Sequence, residues 1–169
     1  MKSSIVIGAS MLLFPLAALA ADPAVSAQDK IFVQQAAIGG MAEVQEGQLA
    51  TAQAGSAAVK QFGQQMIDQH TPNNQALAAL AKEKGLIVPA TTDAAHMADA
   101  AALKNTAGAA FDTAYIAGQV AGHIQMEQVM QTEIQSGSDP DLKAFAGKTL
   151  PVVQDHLKMA QQLQAQNKS

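Results

Sequence analysis

Residues 85 to 108, GLIVPATTDAAHMADAAALKNTAG, decide the fold because they link two long helical segments. Connections between neighbouring antiparallel helices usually run about two to eight residues, so this link is too long for a tight turn. It contains a loop through Pro89 and a short helical segment at about 94 to 105. Such a link can run the length of a helical bundle, which would make the long helices on either side of it parallel.

Four long helical segments surround this link. Serine and aspartate cap helix N-termini, glycine commonly ends helices, and proline is tolerated in the first turn. By these signals the segments run from Ser26 to Gly55, from Ser56 to Lys84, from about Ala109 to Gln135, and from Asp139 to about Gln166. No segment shows the alternating, β-branched pattern of a strand. The fold class is therefore predicted to be all-α.

The long link distinguishes two kinds of bundle. We predict a ferritin-like four-helix bundle with a long crossover link that contains a short helix. The alternative is an up-down-up-down bundle in which residues 85 to 108 only decorate a loop. The two differ in whether the helices before and after the link are parallel.

The first twenty residues, MKSSIVIGASMLLFPLAALA, have the features of a secretory signal peptide. One lysine precedes a short apolar run that ends in the small-residue sequence Ala18-Leu19-Ala20. A membrane anchor is the alternative, but the run is short for a span and contains Pro15. We expect a signal peptide at residues 1–20, a periplasmic or otherwise exported protein, and a single domain at residues 21–169.

The composition excludes several classes of function. The chain has 10 lysines, no arginine and 14 acidic residues, and its net charge of −4 disfavours nucleic-acid binding. It has no cysteine, so disulfides and a cysteine nucleophile are absent. No second apolar run is long enough for a transmembrane segment in the mature chain. Phosphate-loop and nucleophile-elbow motifs are also absent, which leaves nucleotide and hydrolase chemistry without support.

Side chains of the metal-binding types interrupt the apolar stripe of each long helix. Steps of three and four residues place a histidine or a carboxylate on the same helical face as the core residues. Buried imidazoles and carboxylates are costly unless they are paired, so these groups should meet each other or a metal ion. The candidate metal ligands are Glu43, Glu46, His70, His123, Glu127 and His156.

Mixed histidine and carboxylate ligands suit a transition metal ion, namely zinc, iron or copper. A di-iron carboxylate site is disfavoured because it needs Glu-x-x-His motifs, whereas Ile67, Val120 and Val153 stand three residues before the three histidines. Methionines within a turn of the histidines would suit copper(I), although methionine in a helical core is more often filler. These are Met66, Met126 and Met159. A hydrogen-bonded polar core without metal is the other interpretation.

Three segments resemble a family of exported bacterial proteins. They are KQFGQQMIDQH at 60–70, FDTAYIAGQVAGH at 111–123 and LPVVQDHLKMAQQL at 150–163, and together they are similar to the domain of unknown function 4142 family. The resemblance implies a ferritin-like bundle and an exported, often outer-membrane-associated protein, and it implies no established reaction. The sequence departs from the family pattern at Pro72, because the family pattern usually continues there as an unbroken helix. The implied signature positions are Glu46, Asp68, His70, Phe111, Asp112, Tyr115, His123, Pro151 and His156.

Three hypotheses of function follow. The first is an exported ferritin-like bundle that binds a metal ion through a histidine and glutamate core and acts in envelope maintenance or stress. The second is a metal-dependent oxidoreductase. The third is a structural or partner-binding bundle without metal.

Overall fold

A computed structural model describes residues 24–167, so the signal peptide predicted at residues 1–20 lies outside the described chain. The described residues form five α-helices, which confirms the all-α prediction. No helix in this range is long and apolar enough to cross a membrane. The helices are α1 (Ala27–Gln53), α2 (Ala57–Glu83), α3 (Ala94–Lys104), α4 (Gly108–Ser136) and α5 (Pro140–Gln166).

The polar residues predicted to start the helices act as caps. The Ser26 hydroxyl accepts a hydrogen bond from the amide of Asp29, whose carboxylate accepts from the Ser26 amide, and this reciprocal pair begins α1. Ser56 caps α2, and Asp139 caps α5. The departure at Pro72 does not end the helix, because α2 continues through it to Glu83.

Contacts at the two ends of the bundle show the direction of each helix. At one end, the Asp112 carboxylate near the start of α4 accepts hydrogen bonds from the amides of Gly55 (3.0 Å) and Ser56 (2.8 Å), in the turn before α2. At the other end, Lys84 after α2 forms an ion pair with Asp139 before α5, with a distance of 2.9 Å between nitrogen and oxygen. Since α2 and α4 begin at the same end, they are parallel. The crossover prediction is confirmed, and the up-down-up-down alternative is wrong.

The apolar core consists of two clusters with a polar layer between them. One cluster, which includes Phe32, Leu77 and Leu142, lies toward the Lys84 end of the bundle. The other, which includes Phe62 and Phe111, lies toward the Gly55 end. Along α2, α4 and α5 the core histidine falls between residues of the two clusters, so the polar layer is at mid-bundle.

A pair of buried carboxyl groups closes the Lys84 end. Asp29 accepts hydrogen bonds from the amides of Ser26 (2.6 Å), Ser138 (2.9 Å) and Asp139 (3.1 Å). Burial alone would raise the pKa of Asp29, but these bonds and contacts with the Ser26 hydroxyl and Glu133 hold it well below its usual range. Burial, and then the neighbouring Asp29, raises the pKa of Glu133 from 4.5 to about 7. Glu133 is therefore protonated in weak acid and shares its proton with Asp29.

Candidate metal centre

The three core histidines converge in the polar layer from three different helices. His70 on α2, His123 on α4 and His156 on α5 are 7 %, 1 % and 1 % exposed. The distance between ring centroids is 6.1 Å for His70 and His123 and 5.3 Å for each of the other two pairs. One ring nitrogen from each histidine lies within 4.8 Å of the corresponding nitrogens of the other two.

Helical side-chain direction explains why His156 joins the group. Folding α4 and α5 about residue 137 places His156 level with Gly118, about 7.5 Å along the axis from His123. Side chains in a helix lean toward its N-terminus. Because α4 and α5 are antiparallel, the His123 and His156 side chains lean toward each other and close this offset.

Hydrogen bonds fix the tautomers of two of the rings. His123 Nδ1 lies 2.9 Å from the carbonyl oxygen of Gln119, which can only accept, so Nδ1 carries the proton. In the same way His156 Nε2 donates to the side-chain oxygen of Gln69 at 2.7 Å. The opposite nitrogens, His123 Nε2 and His156 Nδ1, are buried and have no hydrogen-bond partner among residues 24–167, and neither does His70 Nε2. Each ring thus keeps one buried nitrogen unpaired.

Burial keeps two of the imidazoles, those of His70 and His156, neutral. Desolvation, and then the charges of His156 and His123, lowers the pKa of His70 from 6.5 to about 3. Desolvation, and then His123, lowers the pKa of His156 from 6.5 to about 4. A neutral imidazole whose other nitrogen carries the proton offers its lone pair to a metal ion. At neutral pH His70 and His156 are therefore ready ligands.

The spacing of the three nitrogens suits a tetrahedral metal ion. If no two of these atoms are more than 4.8 Å apart, a point exists within about 2.8 Å of all three. Zinc–nitrogen bonds are about 2.0 to 2.1 Å, so each ring needs to move inward by less than about 1 Å. Three ligands leave a fourth position of the tetrahedron open.

The two predicted glutamate ligands of α1 contact α4, Glu43 at His123 and Glu46 at Gln119. Glu43 Oε1 lies 3.7 Å from His123 Nδ1, on the protonated side of the ring. Glu46 accepts a hydrogen bond of 3.0 Å from Gln119 Nε2. Burial, and then the charge of Glu43, raises the pKa of Glu46 from 4.5 to about 7. Both carboxyl groups therefore contact α4, Glu43 on the protonated side of the His123 ring and Glu46 through the Gln119 side chain.

The remaining candidates lie elsewhere. The Glu127 carboxylate accepts hydrogen bonds from Gln131 (3.1 Å) and Gln154 (2.8 Å), at the outer seam of α4 and α5, and this placement gives no support to its prediction as a ligand. His96 pairs with Asp93 on α3. The methionines near the histidines pack in the two apolar clusters, as core filler does, and they are Met66, Met126 and Met159.

Two residues that hydrogen-bond the core histidines were not predicted from the sequence. Gln119 stands four residues before His123 on the same helical face, and this spacing could have identified it. Gln69 gives no such signal, because it lies at an exposed position next to His70 and meets His156 only through the packing of α2 against α5.

Replacing His123 by alanine should destabilise the metal-free fold by about 1 to 3 kcal/mol, because it leaves a cavity in the core and breaks the bond to Gln119. The His96→Ala variant is the control, since His96 lies on α3 with its side chain one-third exposed. Urea unfolding with a chelator present measures both variants. Equal midpoints for the two variants would contradict the burial of His123.

Comparisons with known proteins identify a family. The family model described as Domain of unknown function (DUF4142) matches residues 14–163, which is nearly the whole chain. Comparisons with curated proteins and with solved structures give no match. The family match includes all three core histidines and the crossover link.

Proposed function

Since the chain belongs to the family described as Domain of unknown function (DUF4142), whose description states no activity, we propose a function from its side chains. The protein binds one transition metal ion through His70, His123 and His156. Zinc is the first candidate because it favours a tetrahedral site with imidazole ligands, and copper and iron are the alternatives. The protein is exported, and the metal site serves the cell envelope in maintenance or stress.

The observation that carries this proposal is the set of unpaired nitrogens. A polar core without metal should pair its buried polar atoms, because each unpaired one costs about 1 to 3 kcal/mol. Here His70 Nε2, His123 Nε2 and His156 Nδ1 are all buried and unpaired, and one nitrogen of each ring lies within 4.8 Å of one nitrogen of each of the other two rings. Neighbouring groups meanwhile hold the protons of His123 and His156 on the far sides of their rings. A metal ion would satisfy all three nitrogens at once.

The sequence of residues 1–20 supports the export part of the proposal. A secreted protein meets metal ions outside the cytoplasm, where His70 and His156 can bind an ion without first losing a proton. Glu43 supports the site from behind, because a carboxylate near the far nitrogen of a ligating histidine strengthens it as a ligand.

The proposal is tested on untagged protein expressed with residues 1–20 and purified from the periplasm, since a histidine tag would itself bind metal. We expect the intact mass of a chain that begins at Ala21. Elemental analysis should give about one equivalent of metal, and calorimetry after chelation should show tight one-to-one binding of Zn²⁺. The triple variant His70→Ala, His123→Ala, His156→Ala should bind no metal, whereas His96→Ala should bind as the parent does. Equal Zn²⁺ binding by the triple variant would refute the site.

A further inference from the structure

We propose that the groove between α2 and α5 binds a small organic carboxylate, which accepts a hydrogen bond from Nδ1 of His70 and packs its apolar part against the groove walls. The carboxylate meets the outer edge of the ring and is not a metal ligand. Its coupling to the metal rests on the proposed function, because a metal ion on Nε2 of His70 fixes the ring proton on Nδ1. The hydrogen-bond donors that line the groove are present without the metal.

His70 is the core histidine whose ring has no hydrogen-bond partner among the described residues. His123 and His156 donate to Gln119 and Gln69. His70 is 7 % exposed and lines the groove, and its Nε2 is the fully buried nitrogen, so Nδ1 is the polar edge that the ring presents there. A metal-bound histidine almost always donates its other N–H to a carboxylate, a carbonyl or water. For His70 that acceptor has to come from the groove.

Two amide side chains that line the groove are turned so that they donate to it. Gln69 Oε1 accepts from His156 Nε2 at 2.7 Å, and Asn73 Oδ1 accepts from the Thr149 hydroxyl at 3.2 Å. Because each amide oxygen is already engaged, the NH2 group keeps its full capacity for a ligand. A carboxylate only accepts hydrogen bonds, and it has two oxygens to do so. It therefore matches the donors that the groove offers.

The charges at the groove also favour an anion. Lys148 lines the groove at an exposed position, and no described residue forms an ion pair with it. Asp68 lines the groove as well, but its carboxylate accepts a hydrogen bond of 2.9 Å from Gln64, one turn earlier on α2. A metal ion behind His70 would add positive charge. One unpaired lysine suits a ligand with a single negative charge.

The walls of the groove suit a ligand with an apolar part. The groove has a volume of about 540 Å³, within the range of small-molecule sites. Its apolar lining comes from Pro72, Phe145, Val152 and Val153. Val152 is 39 % exposed, so a ligand would cover apolar surface that now meets solvent. Benzoate, a carboxylate on a flat apolar ring, is a suitable probe.

Metal and carboxylate should strengthen each other's binding. Without metal neither nitrogen of His70 has a partner, so the ring proton is not held on Nδ1. Zn²⁺ on Nε2 holds it there, and the charge of the ion makes the N–H a stronger donor. By linkage, benzoate must raise the affinity for Zn²⁺ by the same factor as Zn²⁺ raises the affinity for benzoate.

The test titrates benzoate into the full chain with and without Zn²⁺ and follows backbone and imidazole N–H signals by NMR. Benzoate should shift the signals of groove residues in a saturable way and should slow the exchange of the His70 Nδ1–H with water. Its affinity should be at least about threefold higher with Zn²⁺ than without. Benzamide has the same shape but no charge, and it should bind at least about fivefold more weakly because a charged acceptor makes stronger hydrogen bonds.

Variants locate the site. Lys148→Gln should weaken benzoate binding about two- to fivefold, as for an exposed ion pair, whereas Lys158→Gln, at an exposed position of α5 outside the groove, should bind as the parent does. Val152→Trp fills the groove and should weaken benzoate binding at least about tenfold. Ala144→Trp, exposed on α5 outside the groove, is its control. The lysine pair decides the location should the tryptophan variant misfold. None of the four changes should alter Zn²⁺ affinity more than about threefold.

The outcomes separate this inference from the metal site. A Zn²⁺-loaded parent without a saturable response to benzoate would overturn the carboxylate site and leave the metal site standing. Equal affinity for benzoate and benzamide would show that the donors do not select a carboxylate. Equal benzoate affinity in Lys148→Gln, Val152→Trp and the parent would place the ligand outside the groove. A parent that binds benzoate but no Zn²⁺ would overturn the metal site and the coupling, and it would support the carboxylate site alone.

Discussion

Zn²⁺ at about a thousand times its dissociation constant is expected to raise the free energy of unfolding by about 4 kcal/mol. The gain arises because the ion binds the folded chain and has no comparable site in the unfolded one. The three ligands stand at residues 70, 123 and 156, on three helices, so only the packed bundle brings them together. Urea unfolding with and without Zn²⁺, followed by far-ultraviolet circular dichroism, measures this difference.

Two variants make this prediction specific. His123→Ala leaves two of the three ligands, and we expect it to lose most of the gain. His96→Ala removes a histidine outside the core and should keep the full gain. A gain of the same size in His123→Ala and in the parent would mean that Zn²⁺ stabilises the bundle from somewhere other than the three histidines.

Much of the fold could be predicted because its signals are local. The signals that begin and end a helix depend on a few adjacent residues. Examples are the N-caps Ser26 and Asp139 and the predicted helix end at Gly55. The length of residues 85 to 108 and the short helix within them favoured the crossover, but they left the up-down-up-down bundle open. The contacts that fix it, such as Asp112 with the turn at Gly55, join residues more than fifty positions apart, and no local pattern indicates them.

The candidate site was predictable in part for a related reason. Helical periodicity identifies which face a side chain occupies, so His70, His123 and His156 could be assigned to the core. Periodicity does not give the rotation of one helix against another. Glu127 stands one turn after His123 on nearly the same face, yet it points to the seam with α5 and not to the centre. The hydrogen bond between His156 and Gln69 of α2 depends on the same rotation.

The pH dependence of the metal-free protein involves two opposing pairs of buried groups. His70 and His156 have pKa values lowered from 6.5 to about 3 and about 4. In the window between pH 4.5 and 6.5 the unfolded chain protonates both and the folded one does not, so they reduce stability as the pH falls. Glu46 and Glu133 have pKa values raised from 4.5 to about 7. In the same window the folded chain holds their protons and the unfolded one releases them, so they reduce stability as the pH rises.

These two effects should nearly cancel in the parent protein, because each group contributes at most about 1.4 kcal/mol per pH unit. We therefore expect a nearly flat stability between pH 4.5 and 6.5 and a steep loss below it, where the glutamates no longer compensate. The double variant Glu46→Gln, Glu133→Gln removes one side of the balance. Its free energy of unfolding should fall by about 2 to 3 kcal/mol for each unit of acidification in this window.

Urea unfolding with a chelator at pH 4.5, 5.5 and 6.5 measures both profiles, and each single variant should show about half the slope of the double. Glu83→Gln, at the exposed end of α2, controls for the loss of one negative charge. The free energy of unfolding of the double variant should also rise relative to that of the parent as the pH increases toward 8. The reason is that the double variant no longer has two buried carboxyl groups to ionise. A double variant with a profile as flat as that of the parent would mean that His70 and His156 are protonated in the folded state at weakly acid pH. Their nitrogens would then not be the unpaired ligands that the proposed metal centre requires.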